Sequence, residues 1–531
     1  MKKHNSRSVA LATATLLAAL GAPAVEAGIT GVTGPSFELW ARSGTIVLGD
    51  GNSLVTWGYS TDPAGMQYPG PTMIVNQGDT VSITLHNGLL LPVSLLFPGQ
   101  AGVTASDCGG SAQGAMTLEA NAAATLNGDG GCVTYTFTAS RPGTYMYQSG
   151  SRPELEIEMG LVGALVVRPT GFAEGTHEAH PERTAYGTPS GSTPGFQPTH
   201  YDREYLFFLT EMDRSAHEAI DARQQAFAAG TYSGFDDPAL DAVPGASVDP
   251  STFNATLWFM NGRNGPDTML QRAVPWMPSQ PYNALPRAHA GERVLMRIVG
   301  AGRDLHPFHH HGNNAWMIAR DGQVLESAAG ASANYPDRNG IPEFDPATTT
   351  PAPIGGTPGQ ASLPDKSVSN YTIQVVPGST YDAIFTWTGR GLNWDIYGSL
   401  PGHQAGNGTC DETTRLPGED PGSHCHVFND AMGTRNFPVT LPEQQSLTFG
   451  GFWSGGPYLG TAEPIPPLQG GLNPGAGYSF MWHSHTEREL TNDDVFPGGM
   501  MTMFILEKEP DAGQPDNICD DGTFNTGACA P

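Results

Sequence analysis

Polar and apolar positions alternate along the chain in short runs separated by turn-forming residues. The runs Thr80–Leu85 and Val133–Thr138 alternate with a period of two, which is typical of strands with one buried face. Turn signals return roughly every ten residues, a spacing that favours β-sandwiches. Arg214–Ala229 is the best candidate for a long amphipathic helix. The pattern therefore predicts an all-β protein.

The runs fall into two β-rich regions. The apolar strand Leu161–Val167 closes the first region, and Glu204–Thr210 opens the second. The predicted divisions are a signal peptide at 1–27, a first domain at 28–170, a linker at 171–200, a second domain at 201–508 and an acidic, disulfide-closed tail at 509–531. Two Pro/Gly-rich stretches, at about 329–366 and 401–475, are interpreted as insertions in the second domain. A partial third domain is the alternative interpretation of the later stretch.

The N-terminal residues have the layout of a secretory signal peptide. Lys2, Lys3 and Arg7 precede the apolar run Val9–Leu20, and Val25–Ala27 offers a cleavage site with small residues. We therefore expect an exported protein, periplasmic or extracellular. Since no later stretch is apolar enough to span a bilayer, no membrane span is expected.

The net charge of −27 narrows the range of partners. Removal of residues 1–27 takes away three cations and one anion, which makes the charge −29. Such a surface disfavours nucleic acid and anionic lipid, and it attracts cations. A small-molecule or metal-ion reductant and a homo-oligomer are both compatible with the sequence, and a merely solubilising surface is the competing interpretation.

Six cysteines fall into three local pairs: Cys108/Cys132, Cys410/Cys425 and Cys519/Cys529. An even set in an exported chain favours disulfides. Cys425 lies between His424 and His426, so a thiolate metal ligand is the alternative to a Cys410–Cys425 bond.

Six of the 16 histidines form two groups: His306, His309, His310 and His311, and then His483 with His485. Because residues i and i+2 of a strand point to one face, His309/His311 and His483/His485 can each direct two imidazoles the same way. Two such strands, from one sheet or from facing sheets, would bring four imidazoles together. Imidazoles without a thiolate favour copper or zinc.

Further segments accompany these pairs: His306–Gly312 with Trp316 and Asp321-Gly322, Phe259–Arg263, Ala290–Arg297, Val376–Asp382, Pro69–Thr72, Asn76–Thr80, Gly143–Tyr147 and Met159–Leu165. Together they resemble the multicopper oxidases. The resemblance implies tandem cupredoxin-type Greek-key β-sandwiches, the second with long loop insertions. It also implies copper as the cofactor, with His306 on the type 1 copper and His309, His311, His483 and His485 on the trinuclear cluster.

The same resemblance implies that half of the family's ligands are missing. Leu96 and Pro98 occupy the positions of one family His-x-His motif, and Gln148 and Gly150 occupy those of a second. The first domain therefore offers no cluster ligand.

The type 1 centre is also incomplete. Ser484 stands where the family has its cysteine, and Glu489 stands where it has the second type 1 histidine. A serine hydroxyl replaces neither the thiolate ligand nor its electron path. Met500, Met501 and Met503 follow, and a thioether sulfur suits Cu(I), although packed strand residues are the competing interpretation.

The sequence favours two functions, and a third, an extracellular adhesion or surface-layer protein, has only the insertions and the acidic tail in its favour. One is a copper-dependent oxidoreductase with an incomplete, histidine-only site of one or two ions rather than four. The other is a non-catalytic metal-binding or structural relative. Resemblance in fold alone does not decide between them.

Overall fold

The computed structural model describes residues 29–110, 118–172, 183–187, 199–289, 292–326, 363–364, 366–387, 429–430, 433–434, 455–457, 478–507 and 518. The predicted signal peptide, most of the linker, most of both insertions, the tail beyond residue 518 and the cysteines after Cys132 lie outside these residues.

Ten strands build the first sandwich: β1 Val32–Thr33, β2 Ser36–Val47, β3 Ser53–Ser60, β4 Gly70–Asn76, β5 Thr80–Asn87, β6 Leu95–Leu96, β7 Thr104–Asp107, β8 Cys132–Thr138, β9 Gly143–Ser149 and β10 Val162–Arg168. Sheet A has the order β1-β4-β10-β9-β6, and sheet B has the order β3-β2-β5-β8-β7. Strand β5 alternates between buried and less buried residues as its sequence predicts. Its buried side chains Val81, Ile83 and Leu85 join the core that both sheets share.

The strands after residue 200 are β11 Arg203–Met212, β12 Leu257–Met260, β13 Arg287–Ala288, β14 Val294–Gly300, β15 His306–His310, β16 Ala315–Arg320, β17 Gln323–Val324, β18 Val368–Asn370, β19 Thr372–Val375, β20 Thr380–Phe385, β21 Asn429–Asp430, β22 Gly433–Thr434, β23 Gly455–Pro457, β24 Tyr478–Ser484 and β25 Met501–Leu506. Sheet C has the order β12-β11-β14-β20-β16-β17, with β18 also on β16. Sheet D has the order β13-β25-β24-β15-β19, with β23 also on β24. Sheets C and D enclose the second core, so the all-β prediction is confirmed.

The described residues contain few helices. They form two α-helices, α1 Pro153–Glu156 and α2 Arg214–Ala229, and the 3-10 helices Pro238–Ala242, Pro250–Thr252, Asp267–Met269 and Glu487–Leu490. Asp213 caps the N-terminus of helix α2, where its carboxylate accepts the amide of Ser215 at 2.9 Å. Among the described residues, no helix combines the length and the apolar character that crossing a membrane requires.

Cys108 and Cys132 form a disulfide, as the local pairing predicts. Its two half-cystines lie 24 residues apart and close the loop that joins β7 to β8. The bond ties one edge of sheet B to the strand that follows the loop.

The two sandwiches meet through sheet A and sheet C. Apolar side chains from both sheets form a separate core, which includes Met146 and Ala164 from sheet A and Phe208 and Val299 from sheet C. This contact fixes the first sandwich against one face of the second.

A buried ionic network crosses the same contact. The Glu204 carboxylate accepts hydrogen bonds from Arg168 at 2.7 Å and from Arg297 at 2.8 Å. Arg297 also donates to Thr144 Oγ1 at 3.0 Å, and this hydroxyl donates to Asp382. All five residues are buried. Burial alone would raise the pKa of Glu204, but the two guanidiniums hold that pKa at about 2.

We expect Glu204→Gln to lower the free energy of unfolding by about 3 kcal/mol or more, because two buried guanidiniums lose their shared anion. Chemical denaturation checks this. Asp236→Asn is the control, since the Arg152–Asp236 pair is exposed and its loss should cost less than about 1 kcal/mol. Equal effects of the two substitutions would show that the network does not hold the sandwiches together.

Glu204 makes the stability of the fold decrease as the pH falls. The pKa of Glu204 is lower in the folded chain than its ordinary value of 4.5. Its stabilising contribution is therefore present above pH 4.5 and is lost as the pH falls through about 2. Denaturation midpoints of the wild-type protein should fall over this range more steeply than those of Glu204→Gln.

Candidate metal centre

Three histidines meet on one face of sheet D because of how β15 pairs with β24. The two strands are antiparallel neighbours, and His309 lies directly opposite His483. His311 follows two residues after His309, and its amide donates to the carbonyl of Met481 on β24. Directly opposed residues share a face of a sheet, as do residues i and i+2. The sequence left open one sheet or two facing sheets, and the structure places both histidine motifs on neighbouring strands of one sheet.

The imidazole nitrogens are close enough to share an ion. One ring nitrogen from each of His309, His311 and His483 lies within 4.8 Å of the others. The Nε2 atoms of His311 and His483 are 3.1 Å apart. Two nitrogens that bind one ion at about 2 Å each can adopt that separation. The donor set therefore fits a metal with a preference for imidazole, and copper is the metal that the family resemblance implies.

Hydrogen bonds orient two of these rings. The Nδ1 of His483 donates to the Ser484 carbonyl at 2.7 Å, which places the lone pair on Nε2, toward His311. The Nδ1 of His309 lies 2.7 Å from Thr372 Oγ1 on the adjacent strand β19. Such contacts with backbone and hydroxyl groups are typical of rings that hold a metal through the other nitrogen.

The rings of His309 and His483 are neutral at physiological pH. Burial, and then the neighbouring histidines, lower the pKa of His309 to about 2. Burial also lowers the pKa of His483 to about 3, against the opposing effect of its bond to Ser484. A metal binds the neutral imidazole, so both rings are in the form that binds.

Two more rings border the three. His485 is exposed, and its ring centroid lies 4.6 Å from that of His309. The ring of Tyr371 lies 4.3 Å from His309 on an edge-on approach. His310 points the other way and packs in the core of the second sandwich against Phe385. The structure therefore brings together four of the five predicted site residues.

His306 lies apart from them, on the core side of β15. Its Nδ1 contacts the Glu489 carboxylate at 2.9 Å, and its Nε2 contacts the Glu211 carboxylate at 2.9 Å. All three side chains are buried. Burial would lower the pKa of His306, but the two carboxylates raise it to about 9. Below that pH the ring is an imidazolium between two acids, and both of its nitrogens carry protons.

The carboxylates of Glu211 and Glu489 form a clamp around His306. This clamp occupies the region where the resemblance implies a type 1 copper. The assignment of His306 to that copper stays a prediction. Ser484 is buried beside it on β24, and its hydroxyl accepts the amide of Thr486 at 3.2 Å. Glu211 was not among the residues singled out from the sequence. The available signal was an acidic residue two positions after the apolar run Leu206–Leu209 of this strand.

The first sandwich has the same geometry without the histidines. Leu96 lies directly opposite Gln148 on the paired strands β6 and β9, as His309 lies opposite His483. A Cβ atom at Gly150 would come within 2.6 Å of Leu96 Cγ. The leucine thus fills the space over residue 150, and this position is closed to a larger side chain.

Comparison with known proteins matches part of the chain to one family. The chain has two packed β-sandwiches and an imidazole centre at the end of paired strands, an arrangement of the cupredoxin type. Residues 64–171 match the family model of the multicopper oxidases. The resemblance to this family is thereby confirmed for the stretch 64–171, and the two packed β-sandwiches confirm the all-β fold class. No curated protein matches the chain significantly.

Several solved structures are similar over much of the chain. The blue copper oxidase from Nitrosomonas europaea is 16% identical, covers 89% of this chain and 85% of its own, and has a TM-score of 0.44. The multicopper oxidase mgLAC is 16% identical, with coverages of 90% and 88% and a TM-score of 0.44. The copper nitrite reductase from the same Nitrosomonas is 17% identical, with coverages of 67% and 85% and a TM-score of 0.36. At TM-scores this low, the likenesses support no statement about the function of this chain.

Substitution of His306 distinguishes two roles for this residue: the cation held by Glu211 and Glu489, or a copper ligand. We expect His306→Gln to leave the copper content of loaded protein unchanged. We also expect it to lower the free energy of unfolding by about 3 kcal/mol or more, because two buried carboxylates lose their cation. The control is the triple variant with Glu211→Gln and Glu489→Gln added, which should recover most of the lost stability. Loss of bound copper in His306→Gln would instead support the type 1 assignment.

Proposed function

We propose that this protein binds copper through His309, His311 and His483, with the exposed His485 beside them. The observation that carries the proposal is the set of three buried imidazoles whose nitrogens lie within 4.8 Å of one another. Copper held there would supply one-electron redox chemistry. The chain itself supplies neutral, oriented imidazoles and a site of one or two ions rather than four.

The surroundings argue against dioxygen reduction by the family's usual route. Ser484 provides no thiolate, and the carboxylates of Glu211 and Glu489 hold both nitrogens of His306. In the first sandwich, Leu96 and Gln148 stand at the positions that correspond to His309 and His483. We therefore favour copper binding without four-electron catalysis over an active oxidase.

Export is part of the proposal. The N-terminal pattern of residues 1–27 motivates it, and the Cys108–Cys132 disulfide supports it, because such bonds form and persist in oxidising compartments. The acidic surface then favours cationic ligands at the point of encounter.

Copper loading of the purified full chain tests the function. We expect bound Cu(II) with an electron paramagnetic resonance spectrum of nitrogen ligation and without an intense blue thiolate band. His309→Ala with His483→Ala should reduce bound copper to background while the fold persists by circular dichroism. His86→Ala, which removes a histidine paired with Glu38 on the first sandwich, is the matched control and should retain the copper.

Two results would contradict the proposal. Absence of bound copper after loading would refute the proposed copper site. An intense blue band would show that a cysteine completes a type 1 centre. Oxygen uptake with phenolic or metal reductants addresses catalysis, and we expect no rate above that of the double-alanine variant.

A further inference from the structure

The imidazole cluster is part of a larger pattern on the same face of sheet D. Strands β15, β24 and β25 are neighbours, and their register aligns residues in rows across the three strands. One row is His309, His483 and Met501. The next row is His311, Met481 and Met503, since the His311 amide bonds to Met481 and Met481 lies opposite Met503. Three thioethers therefore share a sheet face with three imidazoles.

The three methionines differ in what surrounds them. Met501 is 6% exposed, and its side chain lies over Gly265, where a Cβ would come within 3.1 Å of the sulfur. Met481 and Met503 are only half-buried. Met500 points to the opposite side and belongs to the core of the second sandwich. Packing among the described residues thus accounts for Met500 and Met501, whereas Met481 and Met503 belong to none of the buried cores that these residues form.

Two methionines that face each other on neighbouring strands can bind one soft metal ion together. Directly opposed side chains on neighbouring strands have Cβ atoms about 5 Å apart, which is within reach of two flexible methionines that bind one ion. Thioether sulfur is a soft ligand that selects monovalent copper over hard cations. Within the described strands, polar residues and not methionine occupy the same face of β19, at Thr372 and Gln374.

We propose that Met481 and Met503 form a soft-metal subsite that takes monovalent copper, or its redox-inert analogue silver, beside the imidazole cluster. His311 lies in the same row and gives the subsite a nitrogen neighbour. The inference extends the copper-binding function proposed above, because it names the oxidation state of the ion that this face accepts. The imidazoles bind divalent copper, and the thioethers of Met481 and Met503 bind the monovalent ion.

Silver(I) in chloride-free buffer is the probe, because it binds thioethers and undergoes no redox change. The full chain is labelled at the methionine methyl carbons, and the Met481 and Met503 signals are assigned from the Met481→Leu and Met503→Leu variants. We expect these two signals to shift on titration with silver. We expect the signal of Met317, which is half-buried on sheet C, to stay in place.

Affinity gives the second readout. Met481→Leu with Met503→Leu keeps the apolar volume and should weaken Ag(I) binding at the subsite at least tenfold. The Cu(II) affinity of the same variant should stay within about twofold of wild type, since its imidazoles are intact. Met317→Leu is the matched control and should change neither affinity.

The outcomes separate this inference from the proposed function. Unmoved Met481 and Met503 signals, or silver affinity unchanged in the double-leucine variant, would overturn the subsite. Shifted signals in a protein that binds no Cu(II) would uphold the subsite and refute the imidazole copper site. Shifted signals together with Cu(II) binding that His309→Ala and His483→Ala abolish would support both.

Discussion

The position of Glu204 between two buried guanidiniums is the constraint on which the arrangement of the two sandwiches depends. Its carboxylate bonds to Arg168 at the end of sheet A and to Arg297 in sheet C, so one anion holds a cation from each sandwich. Burial makes each of these charges costly alone and acceptable only together. Sheet C in turn packs against sheet D, which carries the histidines. The ionic network thus fixes the sheet face that carries the histidines relative to the first sandwich.

Much of the fold could be predicted from local pattern. Period-two alternation identified β5 and β8, and helical spacing identified α2 at Arg214–Ala229. His309 and His483 could be predicted as partners because each belongs to a His-x-His pair in a strand-like run. The sequence did not reveal that β15 and β24 are direct neighbours, because register is set by pairing between residues far apart in the chain.

The surroundings of the site were harder to predict for the same reason. Glu211 precedes His306 by 95 residues and reaches it only because sheets C and D face each other. From the sequence, Glu489 counts as a lost type 1 copper ligand. In the structure it is the second anion of a clamp around His306, which illustrates that a substitution acquires meaning from its three-dimensional partners. The sequence alone does not single out Met481, because its thioether neighbour, Met503, lies on another strand.

The contact between Leu96 and Gly150 constrains the order in which the first sandwich could change. Any side chain introduced at 150 while Leu96 is present would place its Cβ within 2.6 Å of the leucine Cγ. A change at 96 must therefore come first, and only then can residue 150 vary. Such a dependence means that histidines can replace Leu96 and Gly150 only in one order, with residue 96 changing first. A chain with leucine and glycine at these positions therefore cannot gain larger side chains at both through single substitutions taken in arbitrary order.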